Sequence, residues 1–269
     1  MTTAKIKNLG KKIAENQATL DEITLFVSLL MQRAVQEVND SFAPRQLVKR
    51  DRRTEPLPLE KRQLSSYRTR LGTILEYAVS ATMDWLIHQA FEEDLRLTFE
   101  VAHKYPDFLM RDRWLQPSVR IEMKAVDADS DEQSARFEVL NSLIQGEKDV
   151  VILIGWEWFN HTLENGTLGE YPSIFSFVVV PASELARERD ESVKLRGDRV
   201  EIDRILVPKK GQPGELKQDE GNAGKILRLV HSTRKKEPFK LSQYIQRYLQ
   251  FTDIVESRRK QNLKNQREE

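Results

Sequence analysis

The 269-residue sequence contains no cysteine, and its few histidines are far apart. Disulfide bonds, thiolate zinc sites and cysteine nucleophiles are therefore excluded. No two of the four histidines have the spacing of a helical metal-binding pair. Any bound metal must therefore be held by oxygen atoms, a ligand set that favours Mg²⁺ or Mn²⁺.

Several ligand-binding signatures and targeting segments are also missing. The sequence has no G-x-G-x-x-G, no G-x-x-x-x-G-K-[ST] and no G-x-S-x-G, so dinucleotide, P-loop and nucleophile-elbow sites have no support. Its apolar runs are far shorter than the roughly 20 residues that cross a bilayer. The basic N-terminus lacks the features of a secretory signal. We therefore expect a cytoplasmic protein without membrane association.

Positive charge is concentrated in two segments although the net charge is only +1. One segment runs from Arg45 to Arg70 and the other follows His231. Both patterns are typical of a solvated surface and, equally, of phosphate contacts with nucleic acid. The candidate DNA-binding residues are Arg45, Lys49, Arg50, Arg52 and Arg53, with Lys209 and Lys210 from a later Gly/Pro-rich loop.

The hydrophobic pattern alternates between helical and strand periods. Thr19 and Glu22 form a capping box before a helix to about Asn39, and a second helix is predicted from about Leu64 to Glu92. An amphipathic helix is also predicted over Ser134–Gln145. The predicted strands are Leu95–Val101, Tyr105–Met110, Val119–Val126, Asp149–Phe159 and Ser173–Val180, with an edge strand over Val200–Val207. This alternation indicates an α/β fold.

The strand predicted at Val119–Val126 carries the clearest chemical pattern. Its apolar residues fall on one face, so Glu122 and Lys124 point together to the other face. With a second carboxylate from a neighbouring strand, such a pair can hold a divalent cation and orient a water molecule. Asp107, in the only Pro-Asp pair of the chain, is separated from Glu122 by fourteen residues and can supply that carboxylate. The other Glu-x-Lys triplet, at Glu215, lies in the Gly/Pro-rich loop.

A plainer interpretation of these residues stays open. Glu122 and Lys124 can form a surface ion pair worth under about 1 kcal/mol, and Asp107 can cap a turn. Glu76 lies inside the apolar pattern of the second helix, where an acid either faces a site or reaches solvent along the helix edge. Trp156 and Trp158 share one face of a strand and either pack in the core or stack on bases.

Asp107, Glu122 and Lys124 resemble the PD-(D/E)xK nuclease motif, and Glu76 is similar to the accessory acid of many members. The resemblance covers about Leu64 to Phe159. Chain length, flanking basic segments and the absence of helicase or ATPase motifs look most like a type II restriction endonuclease. A Q-x-x-x-Y exonuclease signature is absent, because the position that needs tyrosine is Phe137.

The resemblance implies a restriction-endonuclease-like core: a central mixed β-sheet flanked by helices, with an N-terminal helical region. It implies three parts within one main domain, namely residues 1–60 (N-terminal helix and basic connection), 61–230 (nuclease core) and 231–269 (C-terminal helix and basic tail).

The same resemblance assigns roles to the site residues. Asp107 and Glu122 would bind Mg²⁺, for which Mn²⁺ can substitute, with the Met123 carbonyl as a third ligand. Lys124 would activate the attacking water and stabilise charge on the phosphate, and Glu76 would hold an outer water or a second ion. The implied protein is a homodimeric, Mg²⁺-dependent endonuclease that cuts double-stranded DNA at specific sites. The alternatives are a repair or junction nuclease on the same core and a non-catalytic DNA-binding or interaction protein.

Overall fold

A computed structural model describes residues 3–45, 58–100, 105–129, 146–162, 168–192, 194–196, 199–202, 205–208, 233–234 and 236–268. The helices in this part of the chain are α1 Thr3–Ala14, α2 Leu20–Arg45, α3 Lys61–Phe91, α4 Ala182–Ser192 and α5 Gln243–Glu268, with a short 3₁₀ turn at Pro238–Lys240. The strands are β1 Leu95–Phe99, β2 Phe108–Asp112, β3 Pro117–Asp127, β4 Asp149–Thr162, β5 Leu168–Pro181, β6 Lys194–Arg196, β7 Arg199–Ile202 and β8 Ile205–Pro208.

A mixed sheet with the strand order β1-β2-β3-β4-β5 forms the centre of the fold. Strands β3 and β4 run parallel, and the other neighbouring strands run antiparallel. Helices cover the sheet, and α1 to α3 precede it in the chain. The predicted α/β class, with a mixed sheet flanked by helices and an N-terminal helical region, is confirmed. The three-part domain division stays a prediction.

The two faces of the sheet bury separate hydrophobic clusters. On one face α1, α2 and α3 pack against Val150, Ile152 and Ile154 of β4. On the other face α4 and α5 pack against Val151 and Leu153 of the same strand. β4 is therefore buried on both sides, as its continuous apolar run predicts. Each such side chain contributes about 1.5–3 kcal/mol by leaving water.

The helices follow the predicted pattern but run further. The Glu22 carboxylate accepts the Thr19 N–H at 3.0 Å, and the Glu22 N–H donates to the Thr19 hydroxyl at 3.3 Å, which confirms the capping box. α2 continues to Arg45, six residues past the predicted end. The C-terminal helix α5 extends to Glu268, so much of the predicted basic tail belongs to this helix.

Two tryptophans of β4 pack inside the protein. Trp156 is 1% exposed and meets Trp158 edge to face, with ring centroids 5.9 Å apart. Trp158 stacks on Tyr67 of α3 at 6.1 Å. The packing interpretation is confirmed for the buried Trp156, and the half-buried Trp158 packs against the same core with one ring face stacked on Tyr67.

Some predicted elements differ from the structure or lie outside its description. The single edge strand predicted at Val200–Val207 is wrong: Ile202 pairs with Ile205, so the segment doubles back as β7 and β8 of a small antiparallel sheet. The helix predicted at Ser134–Gln145 lies outside the described residues. Across the described ranges, no helix has the length and apolar character needed to span a membrane.

A buried ion pair fixes α3 to the end of β3. The Arg68 guanidinium Nε lies 2.7 Å from Asp127 Oδ2, and Nη2 of Arg68 donates to the Asp129 carbonyl at 3.1 Å. The Asp127 side chain is only 6% exposed. Burial raises its pKa to about 6 although Arg68 opposes the shift. Loss of Arg68 would therefore leave a buried carboxylate without its counterion and lower the stability of the fold.

Candidate active site

An open edge of β3 creates the place where the candidate residues meet. β2 pairs with β3 only as far as Ile121. Beyond Ile121, the N–H groups of Met123 and Ala125 point to the side of β3 on which β2 no longer pairs with it. The Asp107 carboxylate accepts the Met123 N–H at 2.9 Å, and the Glu76 carboxylate accepts the Ala125 N–H at 2.8 Å. Because an unpaired, partly buried N–H is costly, these bonds fix both carboxylates beside the strand.

The Lys124 ammonium lies at the centre of the site and contacts three oxygen atoms. Its Nζ is 2.6 Å from Glu122 Oε1, 3.2 Å from Asp107 Oδ2 and 3.0 Å from the Met123 carbonyl oxygen. Glu122 and Lys124 leave the strand on the same side, as the alternation predicts. Two carboxylates and one carbonyl thus converge on a single cation.

Glu122 is more enclosed than Asp107. Its side chain is 13% exposed, and its second oxygen, Oε2, is buried without a hydrogen-bond donor among the described residues. Burial raises the pKa of Glu122, and the neighbouring Asp107 carboxylate raises it further against the attraction of Lys124. A buried carboxylate oxygen without a donor favours binding of a further cation or water at this position.

The charges of the site shift one another's titration. Burial raises the pKa of Glu76 to about 7, although Lys124 and the Ala125 N–H favour its charged form. Burial alone would lower the pKa of Lys124, but Glu122, Asp107 and Glu76 together raise it above its ordinary value. The lysine is therefore a stable positive charge at neutral pH, while Glu76 titrates near neutrality.

The oxygen atoms at this site suit a hard divalent cation. Among the described residues, no group of three or more His, Cys, Asp or Glu side chains is arranged to hold a metal ion. Mg²⁺, however, is usually bound by one or two carboxylates together with water. Asp107, Glu122 and the Met123 carbonyl supply such a set, and the donor-free Glu122 Oε2 provides an acceptor that a cation can satisfy.

The segment before Asp107 is held by a cluster that the sequence did not reveal. The Tyr105 hydroxyl donates to Asp149 Oδ2 at 2.7 Å, and Arg120 lies 3.5 Å from the same oxygen. The Arg120 guanidinium also lies over the Tyr105 ring, 5.0 Å from its centroid. Tyr105 and Asp149 are separated by 44 residues, so no local pattern could join them. We infer that this cluster positions the chain that carries Asp107.

The predicted site residues come together, whereas the predicted DNA contacts cannot be located. Asp107 lies just before β2 rather than inside the strand predicted from Tyr105, and Glu76 of α3 reaches the same strand edge as Asp107. Arg45 is the last residue of α2, and its side chain is outside the described part. The other candidate DNA-binding residues outside the description are Lys49, Arg50, Arg52, Arg53, Lys209 and Lys210.

An open cavity of about 600 Å³ lies elsewhere, between α4 and the start of α5. Its three cationic side chains are each paired with a carboxylate, at 2.6–2.7 Å. The pairs are Arg187 with Glu184, Lys236 with Glu188, and Lys240 with Glu237. Their charges are compensated, so the cavity offers less to a charged ligand than the edge of β3 does.

Comparison with protein-family models finds no family that matches this chain, and no curated protein matches it. The geometry at the edge of β3 is therefore the basis for the functional proposal.

The raised pKa of Glu76 predicts a pH-dependent gain in stability for Glu76→Gln. In metal-free buffer the unfolded chain ionises Glu76 near pH 4.5, but the folded protein does so only near pH 7. The parent therefore loses stability as pH rises between these values. The glutamine still accepts the Ala125 N–H and carries no charge. We expect equal stability at pH 4 and a gain of up to about 3 kcal/mol at pH 8, measured by urea unfolding.

Asp84→Asn is the control for this measurement. Asp84 is also on α3 and accepts a strand N–H, that of Leu97, at 2.9 Å. It lies about 12 Å further along the helix than Glu76. A gain in Asp84→Asn equal to that in Glu76→Gln, or no gain in Glu76→Gln at pH 8, would contradict the electrostatic interpretation of the site.

Proposed function

We propose that the protein is a cytoplasmic, Mg²⁺-dependent endonuclease that hydrolyses phosphodiester bonds at specific sites in double-stranded DNA. The resemblance of Asp107, Glu122 and Lys124 to the PD-(D/E)xK motif suggests this activity. One observation carries the proposal: an aspartate oxygen, a glutamate oxygen and a backbone carbonyl lie within 3.2 Å of one lysine ammonium at an open strand edge. A surface ion pair does not require this convergence.

Each residue has a role that follows from its chemistry. Asp107 and Glu122, with the Met123 carbonyl, would hold Mg²⁺, which would supply a Lewis acid that lowers the pKa of a water molecule. Lys124 keeps its proton at neutral pH, so it donates hydrogen bonds to the attacking water and to the phosphate oxygen on which charge develops. Glu76 titrates near pH 7 and can accept a proton from a water at the site.

The open edge of β3 favours a substrate that lies against the protein surface. The Asp107 and Lys124 side chains are 31% and 25% exposed, so both reach solvent while remaining fixed by hydrogen bonds. A phosphodiester of a large polymer can approach such groups without entering an enclosed pocket. The basic segments predicted from the sequence would add contacts to neighbouring phosphates.

The direct test is digestion of a long DNA of known sequence with Mg²⁺. We expect discrete fragments from the parent protein and none from Glu122→Gln, because the variant loses the charge that attracts the metal. Glu157→Gln is the matched control: Glu157 lies on the same sheet, and its side chain is also 13% exposed. This control should cut like the parent.

The cleavage pattern separates the alternatives. Cutting of branched or damaged DNA without fixed fragments would indicate a repair or junction nuclease. DNA binding without Mg²⁺-dependent cutting would indicate a non-catalytic DNA-binding protein. Equal cleavage by Glu122→Gln and the parent would refute the site assignment even if the protein is a nuclease.

A further inference from the structure

The solvent face of α3 carries an apolar stripe that no described element covers. Leu71, Leu75, Val79, Met83 and Ile87 form the buried face of this helix. The opposite face consists of six residues of α3 that lie within roughly 80° of arc at 100° per residue, and Glu92 follows them as the C-cap residue of the helix. They are Arg70, Ile74, Tyr77, Ala81, Trp85, His88 and Glu92, and every one of them is exposed.

Large apolar side chains dominate the centre of this stripe. Ile74 is 43% exposed, Tyr77 68% and Trp85 53%. Single exposed apolar residues are normal on a protein surface, but here Ile74 and Tyr77 lie one turn apart and Trp85 two turns further on, with the exposed Ala81 between them, so they form one apolar stripe. Aromatic residues with an arginine are also the side chains enriched at protein–protein interfaces.

The order of residues along the stripe is symmetric about Ala81. Tyr77 lies four positions before Ala81 and Trp85 four positions after it, so both of these mirror-related positions carry an aromatic ring. Arg70 and Glu92 lie eleven positions to either side, so a positive charge is opposite a negative charge. In two antiparallel copies related by a two-fold axis at Ala81, each residue therefore meets a complementary one.

We propose that α3 is the interface of a homodimer, with two copies of the helix packed antiparallel across Ala81. The small alanine lets the helix axes approach closely at the crossing, and Tyr77 of each copy packs on Trp85 of the other. Within the described residues, neither Arg70 nor Glu92 has an ion-pair partner, and each finds one across the two-fold axis. Ile74 packs against His88 between these contacts.

Charge complementarity selects a second copy of this chain over an unrelated partner. An unrelated apolar partner would not require Arg70 and Glu92 to be equidistant from the smallest residue of the stripe. Arg70 and Glu92 each lie about 17 Å from Ala81 along the helix, at 1.5 Å per residue. A shallow crossing of about 20° keeps the end charges within reach, whereas about 50° would separate them.

The dimer also bears on the proposed function without depending on it. Glu76 lies on α3 between Ile74 and Tyr77 but points to β3, so the helix that forms the interface also contributes to the site. Two copies would place one site on each side of the two-fold axis, an arrangement suited to two antiparallel DNA strands. The interface itself is tested without DNA or Mg²⁺.

The first test measures the oligomeric state by sedimentation velocity. We expect the parent to be a dimer and Trp85→Glu to be a folded monomer of half the mass with the far-UV circular dichroism of the parent, because Trp85 is on the surface. Trp114→Glu is the matched control: Trp114 is 74% exposed in the turn before β3, outside the stripe. A monomeric parent, or a Trp85→Glu variant that remains dimeric, would overturn the proposal.

A charge exchange tests the antiparallel register. Arg70→Glu places two glutamates opposite each other at both ends and should raise the dimer dissociation constant by at least about tenfold. Combining Arg70→Glu with Glu92→Arg restores opposite charges and should recover the parent value. If the double variant is as weak as the single variant, the proposed register is wrong.

The absence of cysteine allows a direct measurement of proximity. Ala81→Cys introduces a single thiol at the two-fold axis and should form a covalent dimer on mild oxidation. Gln89→Cys is the control, because position 89 is exposed on α3 but roughly 80° away from the centre of the stripe. Equal cross-linking of both variants, or none at position 81, contradicts the model of the interface. Both readouts stand even if the protein cuts no DNA.

Discussion

Replacement of Lys124 by alanine is expected to lower the rate of Mg²⁺-dependent DNA cleavage by about 10²–10³-fold, the usual effect of losing one donor that stabilises developing charge. Lys124 is the only described cation that contacts both Asp107 and Glu122. Its loss removes the hydrogen bonds to the attacking water and to the phosphate. The rate is measured in single-turnover digests, with DNA binding followed separately.

Metal binding should respond differently from catalysis in the same variant. Without the ammonium, the Asp107, Glu122 and Met123 oxygens are free to bind a cation, so calorimetric Mg²⁺ binding should persist in Lys124→Ala. Lys236→Ala is the control: this lysine is 28% exposed, close to the 25% of Lys124, and pairs with Glu188 outside the site. Full cleavage by Lys124→Ala would exclude the assigned role.

Replacement of Arg68 by methionine is expected to destabilise the protein by about 3 kcal/mol at pH 8. The substitution keeps most of the side-chain volume but leaves the Asp127 carboxylate buried without its cation. It also removes the hydrogen bond to the Asp129 carbonyl. In urea unfolding we expect a lower midpoint with an unchanged dependence of the unfolding free energy on urea concentration, which identifies the effect as a loss of folding stability.

The pH dependence of this effect identifies its cause. The pKa of Asp127 is already raised to about 6, and loss of Arg68 raises it further. At low pH both proteins bury a neutral acid, so the difference between them is small; it grows as pH rises through 6. Arg111→Met is the control, since Arg111 is equally buried but its partner Glu100 is 30% exposed. A pH-independent loss in Arg68→Met would point to packing instead.

The strand-borne part of the site could be predicted because its signals are local. Alternation along β3 places Glu122 and Lys124 on one face, and a short connection brings Asp107 next to them. The sequence did not reveal why the carboxylates stay there. The pairing of β2 with β3 stops at Ile121, so the N–H groups of Met123 and Ala125 donate to side chains instead of to a strand. The point at which two strands stop pairing depends on the tertiary structure and cannot be derived from the local sequence.

Contacts between distant segments account for most of what could not be predicted. Arg68 and Asp127 are 59 positions apart, and nothing in either neighbourhood identifies the other. Helix α1 was also missed, because Gly10 interrupts an otherwise helical apolar pattern. In the structure this glycine makes room for the Phe91 ring, into which an added Cβ would project. Gly10 therefore lowers the helix propensity of α1, but only a glycine leaves enough space for Phe91.

The confinement of Asp107, Glu122 and Lys124 to one hairpin has a consequence for the order of folding. Contacts among these three residues close loops of no more than 17 residues, which costs little chain entropy. The parallel pairing of β3 with β4 joins residues 29 positions apart through a crossover connection and is therefore slower to form. We therefore expect the two acids to acquire their counterion before β4 and the helices exclude water. An ammonium already in place would lower the electrostatic cost of burying the two carboxylates during later folding.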